Sequence, residues 1–277
     1  MINIIKIDAR DLPDLWFQAL YNVLKEGRTF KIDRGSYAGQ TRIEFDYFIG
    51  HVTHPSTIPL LPEMPPGCDI PAPVEEAYVF GGKGYDRSYI EYLMTGEKEP
   101  GESYTYGERL TSQKLSIDEI KFREGPDFDE DIMNKWLVNY EGSRHSIFWN
   151  KNDHQTNIYL NQIEWIIDTY KKHGHRNNQM VLQVAQPTDT LLVDPPCLRH
   201  IDTRIQDNKL HFFVYFRSWD LWGGLPANLA AIQTLKEYMA SCIGVEDGEM
   251  VVESKGLHLY GYAEKLAKIR CMVNDYV

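Results

Sequence analysis

The sequence predicts an α/β (α+β) fold: a single domain, 1–277, with a mostly mixed or antiparallel sheet flanked by helices. Stretches with apolar residues at helical spacing alternate irregularly with stretches of strict apolar/polar alternation. Two strand-like runs, Leu198 to Ile205 and Lys209 to Phe216, flank Asp207-Asn208, a dipeptide suited to a tight hairpin turn. With 277 residues, 43% hydrophobic and 25% charged, the chain can bury one sizeable core.

Near the start, Asp11 can cap a helix with Pro13 in its first turn. Its apolar residues Leu12, Trp16, Leu20, Tyr21 and Leu24 share one face, and Gly27 follows its end. From Arg42 the pattern changes: Ile43, Phe45, Tyr47 and Ile49 against Arg42, Glu44 and Asp46 predict one half-buried strand. Residues 55–73 hold seven of the 14 prolines and read as an extended connection. A polar insertion around 98–156, with Asp127, Asp129, Glu130 and Asp131, reads as solvated, with chemistry only at its first residues. A second amphipathic helix is expected from about Asn157 through Ile158, Ile163, Trp165, Ile166 and Tyr170 to Gly174. A strand from Met180 to Val184 and the hairpin follow. A third helix opens at Pro226, shows Leu229, Ile232, Leu235 and Met239 on one side, and closes at Gly244.

Composition and missing motifs narrow the function. A net charge of −11 lacks the basic footprint of a nucleic-acid binder. No apolar run approaches the roughly 20 residues of a membrane span, and the first residues do not resemble a signal peptide, so a cytoplasmic location is expected. Cys68, Cys197, Cys242 and Cys271 lie far apart without metal or disulfide spacing, and no metal is expected. Gly82-Lys-Gly84 falls short of a dinucleotide fingerprint; a P-loop and a GxSxG elbow are absent. His51 and His54 fall on opposite faces of a strand pattern, which argues against a metal pair.

The informative stretch is Val193 to Tyr262. Two prolines set the entry to Cys197, a hairpin delivers Arg217-Ser218 and Asp220, and Gly223-Gly224 leads to Asn228 near the start of a helix. Glycines let a ligand approach the backbone, and a helix N-terminus favours an anion or a polar ring edge. Each piece also has a plain structural reading: Cys197 as a small core residue, Arg217 paired with Asp220, His258 and Tyr260 as polar tips of a half-buried strand.

Taken together the pieces resemble the thymidylate synthase family and its pyrimidine hydroxymethylase relatives. Pro-Cys at Cys197, Arg-Ser-x-Asp from Arg217, Gly-Leu-Pro-x-Asn ending at Asn228, and His258-Leu-Tyr260 follow the family's order and spacing. Upstream, Arg34 looks like its phosphate-binding arginine, and Tyr104 to Leu110 (YTYGERL) resembles its Val-Tyr-Gly-Lys turn. The resemblance implies a homodimer that binds a pyrimidine nucleotide monophosphate and takes a one-carbon unit from 5,10-methylenetetrahydrofolate or a methanopterin analogue. It further implies Cys197 as nucleophile, Tyr106 assisting proton removal, Arg217 and Ser218 on the phosphate, Asp220 and Asn228 on the pyrimidine edge, and His258 with Tyr260 on the sugar. Addition of a thiolate to carbon 6 of uracil makes carbon 5 nucleophilic, and a free thiol with a pKa of about 8.5 gains thiolate beside a cation such as Arg217. Conversion of deoxyuridylate to thymidylate is the leading reading. A nucleotide 5-hydroxymethylase acting on dUMP, CMP or dCMP, or a non-catalytic nucleotide-binding homologue, are the alternatives.

The sequence also departs from the family's pattern. Leu198 and Phe216 stand where the family has histidine and glutamine. Asn177 and Asn178 replace its cross-subunit arginine pair, leaving Arg176 as the substitute, and its catalytic glutamate has three candidates, Glu75, Glu76 and Glu91. Only 17 residues follow Tyr260, short for the family's closing tail, an arrangement that would favour a hydroxymethyl product.

Overall fold

The computed structural model describes residues 1–33, 37–67, 70–115, 147–149 and 158–273. The first half contains β1 (Ile4–Ala9), α1 (Leu12–Glu26), β2 (Arg28–Lys31), β3 (Thr41–Glu44), β4 (Tyr47–Val52), α2 (Glu76–Phe80), α3 (Tyr89–Met94) and α4 (Tyr106–Thr111). Around the insertion lie β5 (Gln113–Leu115), β6 (Ile147–Trp149) and β7 (Ile158–Leu160), then α5 (Gln162–His173), β8 (Val181–Gln183) and a 3-10 turn (Pro187–Leu191). The rest comprises β9 (Leu198–Gln206), β10 (Lys209–Phe216), β11 (Trp219–Asp220), α6 (Gly224–Ile243), β12 (Glu246–Ser254), β13 (Leu257–Tyr260) and α7 (Gly261–Arg270).

Six strands form the main sheet in the order β1-β4-β12-β10-β9-β8. Two of its pairings, β1 with β4 and β10 with β12, are parallel; the other three are antiparallel, which gives the expected mixed sheet. Asp207 and Asn208 both take positive φ, 52° and 58°, and close the β9–β10 hairpin as their residue types favour. Leu210, Phe212, Val214 and Phe216 point from β10 to the core, as do Met250 and Val252 from β12. Against these strands packs α6, which is buried on most sides and meets Val79 of α2 through Ala227 and Ala230. Its end is set by Gly244, whose φ of 89° is a left-handed cap.

Three expected elements differ in extent. The single strand from Arg42 divides at Phe45 and Asp46, with β3 in a second sheet (β11-β13-β3-β2) and β4 in the main one. Phe45 is buried and stacks on Phe48, and beyond this bend the phase flips, so that Phe48, Gly50 and Val52 face inward instead of Tyr47 and Ile49. The second helix starts at Gln162, capped by Asn161 accepting from the Glu164 N–H at 3.2 Å, because Ile158–Leu160 are strand β7 between β5 and β6. The third helix starts at Gly224, ahead of Pro226. The first helix is as expected: Asp11 accepts from the Asp14 N–H at 3.0 Å, and Leu12, Trp16 and Leu20 are buried. Trp16 Nε1 donates to the carbonyls of Leu221 and Trp222, at 3.0 and 3.1 Å, which ties α1 to the loop before α6. Asp127, Asp129, Glu130 and Asp131 lie outside the described residues.

Candidate active site

Cys197 follows Asp194-Pro195-Pro196 at the entry to β9. The Arg217 guanidinium grips this turn: Nε donates to the Pro196 carbonyl at 3.1 Å, and Nη2 to the Pro195 carbonyl and to Asp194 Oδ1, the latter at 3.2 Å. The Arg217 backbone N–H donates to the Cys197 carbonyl at 2.8 Å. Arg217 is thus paired with Asp194, not with Asp220 as the structural alternative had it. Burial pushes the Cys197 thiol up from its ordinary pKa, while Arg217 and then Arg199 pull it down and Asp194 opposes them. The expected influence of Arg217 is present, but desolvation outweighs it.

Tyr106 opens α4, and its hydroxyl oxygen accepts the Leu198 backbone N–H at 3.3 Å, one residue from the thiol. Desolvation, followed by the charge of Cys197, holds its pKa well above 10, so its proton stays on the oxygen. The close approach of α4 to α3 depends on Gly107, where a Cβ would stand 1.9 Å from the Thr95 carbonyl oxygen. Asn228 lies one turn into α6. Its Oδ1 accepts from Trp219 Nε1–H at 2.7 Å, and its Nδ2 donates to Tyr89 Oη at 2.6 Å. Asn228, Tyr106, Tyr89, Tyr92, Arg87 and Glu102 share a cavity of about 380 Å³. Its rings are stacked or edge-on, with Tyr92 5.4 Å from both Tyr89 and Tyr106, and Arg87 pairs with Glu102 at 2.7 Å.

Asp220 is committed to the backbone. Oδ2 accepts from the Gly223 and Gly224 N–H groups at 3.1 and 2.9 Å and Oδ1 from Trp222 N–H at 3.2 Å, so it holds the turn into α6 and satisfies that helix's first N–H. Opposite Asp220 on β13 is His258, 2% exposed. Its Nδ1–H donates to the Gly256 carbonyl at 2.8 Å, and burial lowers its pKa to about 4. The ring is therefore neutral, and Nε2 is a buried acceptor without a partner. Tyr260 packs tilted against Tyr37, ring centroids 4.3 Å apart and 31° between planes, and meets the edge of His258 at 4.5 Å.

Most of the expected residues thus form one constellation. Tyr89, Tyr106, Tyr260 and Arg217 are all within electrostatic reach of Cys197, and Asp220 within reach of His258 and Tyr260. Ser218 adjoins it, half-buried between β10 and β11. Arg176 does not join: it is exposed on the loop after α5. Arg34 lies outside the described residues.

None of the three glutamates lines the cavity. Glu91 accepts from the Ser88 N–H and hydroxyl at 2.7 and 2.9 Å as part of a capping box, Glu75 is the cap position of α2, and Glu76 is exposed in its first turn. Sequence reasoning missed Tyr89, Glu102 and Arg42, the last paired with Glu44 at 2.6 Å and in register with Tyr260. Only the apolar/polar alternation around Arg42 carried a signal. Among the described residues no group of His, Cys, Asp and Glu is arranged to hold a metal.

The sequence profile of the family described as thymidylate synthase matches residues 116–274. The chain belongs to the thymidylate synthase family. Within it, similarity extends over 256 residues at 25% identity to a Methanosarcina mazei protein named "Putative thymidylate synthase", covering 92% of this chain and 89% of that one. A deoxyuridylate hydroxymethyltransferase of Bacillus phage SP01 is 34% identical over 122 residues, 41% of this chain and 31% of that protein. The thymidylate synthase fold is also that of the thermostable thymidylate synthase A from Bacillus subtilis, with a TM-score of 0.56 at 14% identity, covering 96% of this chain and 86% of that one.

Proposed function

We propose that this chain, acting as one domain, transfers a one-carbon unit to carbon 5 of deoxyuridylate, giving thymidylate, through a transient bond between Cys197 Sγ and carbon 6. The observation that carries the reading is a half-buried thiol beside a protonated tyrosine hydroxyl already docked, at 3.3 Å, on the next peptide N–H. When the thiolate adds to carbon 6, the ring's π electrons move towards O4 and leave carbon 5 nucleophilic. Once carbon 5 carries the new carbon, its proton leaves through Tyr106 Oη and a water, which lets that carbon part from its carrier; after hydride has reduced it to methyl, the Sγ–C6 bond breaks and the ring double bond returns.

A reduced folate or a methanopterin analogue would supply, when bound, both the methylene carbon and the hydride that reduces it to methyl, ending in its oxidised dihydro form. The tyrosine-walled cavity beside Asn228 suits its flat heteroaromatic ring. His258 Nε2 accepts a sugar hydroxyl, with Tyr260 beside it, and Asn228 meets N3–H and O4 of the base. Arg217, through Nη1, and Ser218 hold the phosphate together with Arg34, and Arg176 reaches it from a second copy. The dimer would form on the sheet face opposite α6. There His51, Val251 and Phe213 stand side by side in one row, and Ile49, Glu253 and Tyr215 in the next.

The test is to incubate the protein with 5-fluorodeoxyuridylate and methylenetetrahydrofolate and look for a ternary adduct on Cys197 by mass spectrometry. Absence of an adduct with either a folate or a methanopterin donor would leave the chain a nucleotide-binding homologue. Hydroxymethyl transfer is the second reading, favoured by the similarity to the phage deoxyuridylate hydroxymethyltransferase. Product analysis for thymidylate against hydroxymethyl-deoxyuridylate separates the two.

A further inference from the structure

Asn228 is held from both sides before any nucleotide arrives, by Trp219 Nε1–H on its oxygen and Tyr89 Oη on its nitrogen. An unrestrained carboxamide is ambiguous. Turned one way, its oxygen and nitrogen suit N3–H and O4 of uracil; turned over about its last torsion, the same two positions suit the 4-amino group and N3 of cytosine. Asparagine by itself therefore does not choose between the two bases. The indole N–H lacks this ambiguity because it donates and never accepts, so it admits only the amide oxygen. Tyr89 Oη can donate or accept and would fit either turn.

We infer that Trp219, with Tyr89 in support, is the positioning residue that sets the choice of uracil over cytosine by locking the Asn228 amide; this rests on the reading that Asn228 faces the pyrimidine edge. The donor is itself fixed by the core. Trp219 is 2% exposed, stacks on Phe216 with centroids 4.1 Å apart and 5° between planes, and is in register with Leu257 of β13. Turning the amide over in place would set its N–H against the indole N–H and leave two donors facing each other in a partly buried contact. In the locked orientation one Nδ2 hydrogen and one Oδ1 lone pair remain for a base, and Asn228 lines the cavity with Tyr89.

The experiment measures binding of deoxyuridylate and deoxycytidylate to the full chain by titration calorimetry, with no carbon donor present, and compares the ratio of the two dissociation constants. Trp219→Phe keeps a stacked ring and removes the donor, so the preference for deoxyuridylate should narrow roughly tenfold. Tyr89→Phe should narrow it by less, about threefold or below, because Trp219 still admits only oxygen. Asn228→Asp serves as the control and should move the preference towards deoxycytidylate. If Trp219→Phe does not fold, replacing the indole by benzothiophene keeps the shape and puts sulfur where the N–H stands. An unchanged ratio without the indole N–H, or a larger change in Tyr89→Phe, overturns the lock. If Asn228→Asp still shifts the preference, the reading of Asn228 stands without it; if no variant shifts it, both fall.

Discussion

Cys197 sits where burial and charge oppose each other, and burial is the larger effect. Its alkylation by iodoacetamide should therefore keep accelerating above the pH at which an ordinary thiol levels off. In Arg217→Gln, which removes the favourable cation, the curve should move further to the alkaline side; a move to the acidic side would show that Arg217 does not favour the thiolate. His258 gives a second titration. The folded ring takes a proton only near pH 4, whereas an unfolded histidine does so near 6.5, so the unfolded chain binds more protons between those values. Stability is then complete above pH 6.5 and falls as pH drops towards 4, by about 3 kcal/mol from this group. Urea melts at pH 7 and 4.5 should show a smaller loss in His258→Gln than in the unsubstituted protein. At this scale the sequence announced residues whose neighbours in the chain are distinctive, such as Cys197 after two prolines and Asn228 after Gly-Leu-Pro. It concealed Tyr89 and Trp219, because nothing local distinguishes a core aromatic from one whose polar atom meets Asn228.

Elements were legible where local chemistry decided them. Asp11, Pro13 and Gly27 delimit α1, and Asp207-Asn208 closes the hairpin, because caps and turns depend on residues a few positions apart. What failed was decided at long range. Ile158 joins β7 through its partners in β5 and β6, and β12 carries Glu246, Asp247, Glu249 and Glu253 in a strand whose inward residues are Gly248, Met250, Val252 and Ser254. The alternation from Arg42 hid a bend because a change of phase at Phe45 mattered more than the pattern. Gly107 offers a test at this scale. Any side chain there meets the backbone at the end of α3, so Gly107→Ala should cost about 3 kcal/mol in thermal or urea unfolding. It should also displace Tyr106 from the Leu198 N–H, and adduct formation on Cys197 should slow. Normal stability and normal adduct formation in that variant would mean that α4 yields without consequence.

For the whole molecule, the half-open face of the main sheet is where a second copy should bind. Phe213, 37% exposed at its centre, makes the prediction simple: Phe213→Asp should shift sedimentation from dimer to monomer. A monomeric unsubstituted protein would remove the dimer and with it any role for Arg176 across subunits. The strand order has another outcome, one that concerns synthesis. β12 is among the last strands made, yet it lies between β4 and β10, joining the N-terminal strand pair to the hairpin. On the ribosome, each of those two halves keeps an unpaired edge until Ser254 has emerged, and such edges invite association between nascent chains. Tyr106, Cys197 and His258 come from separate parts of that chain and cannot meet before the central strand is in place. Translation therefore completes the candidate site and seals the sheet at nearly the same moment, and a chain stalled before residue 246 should be a substrate for chaperones while lacking His258 and Tyr260.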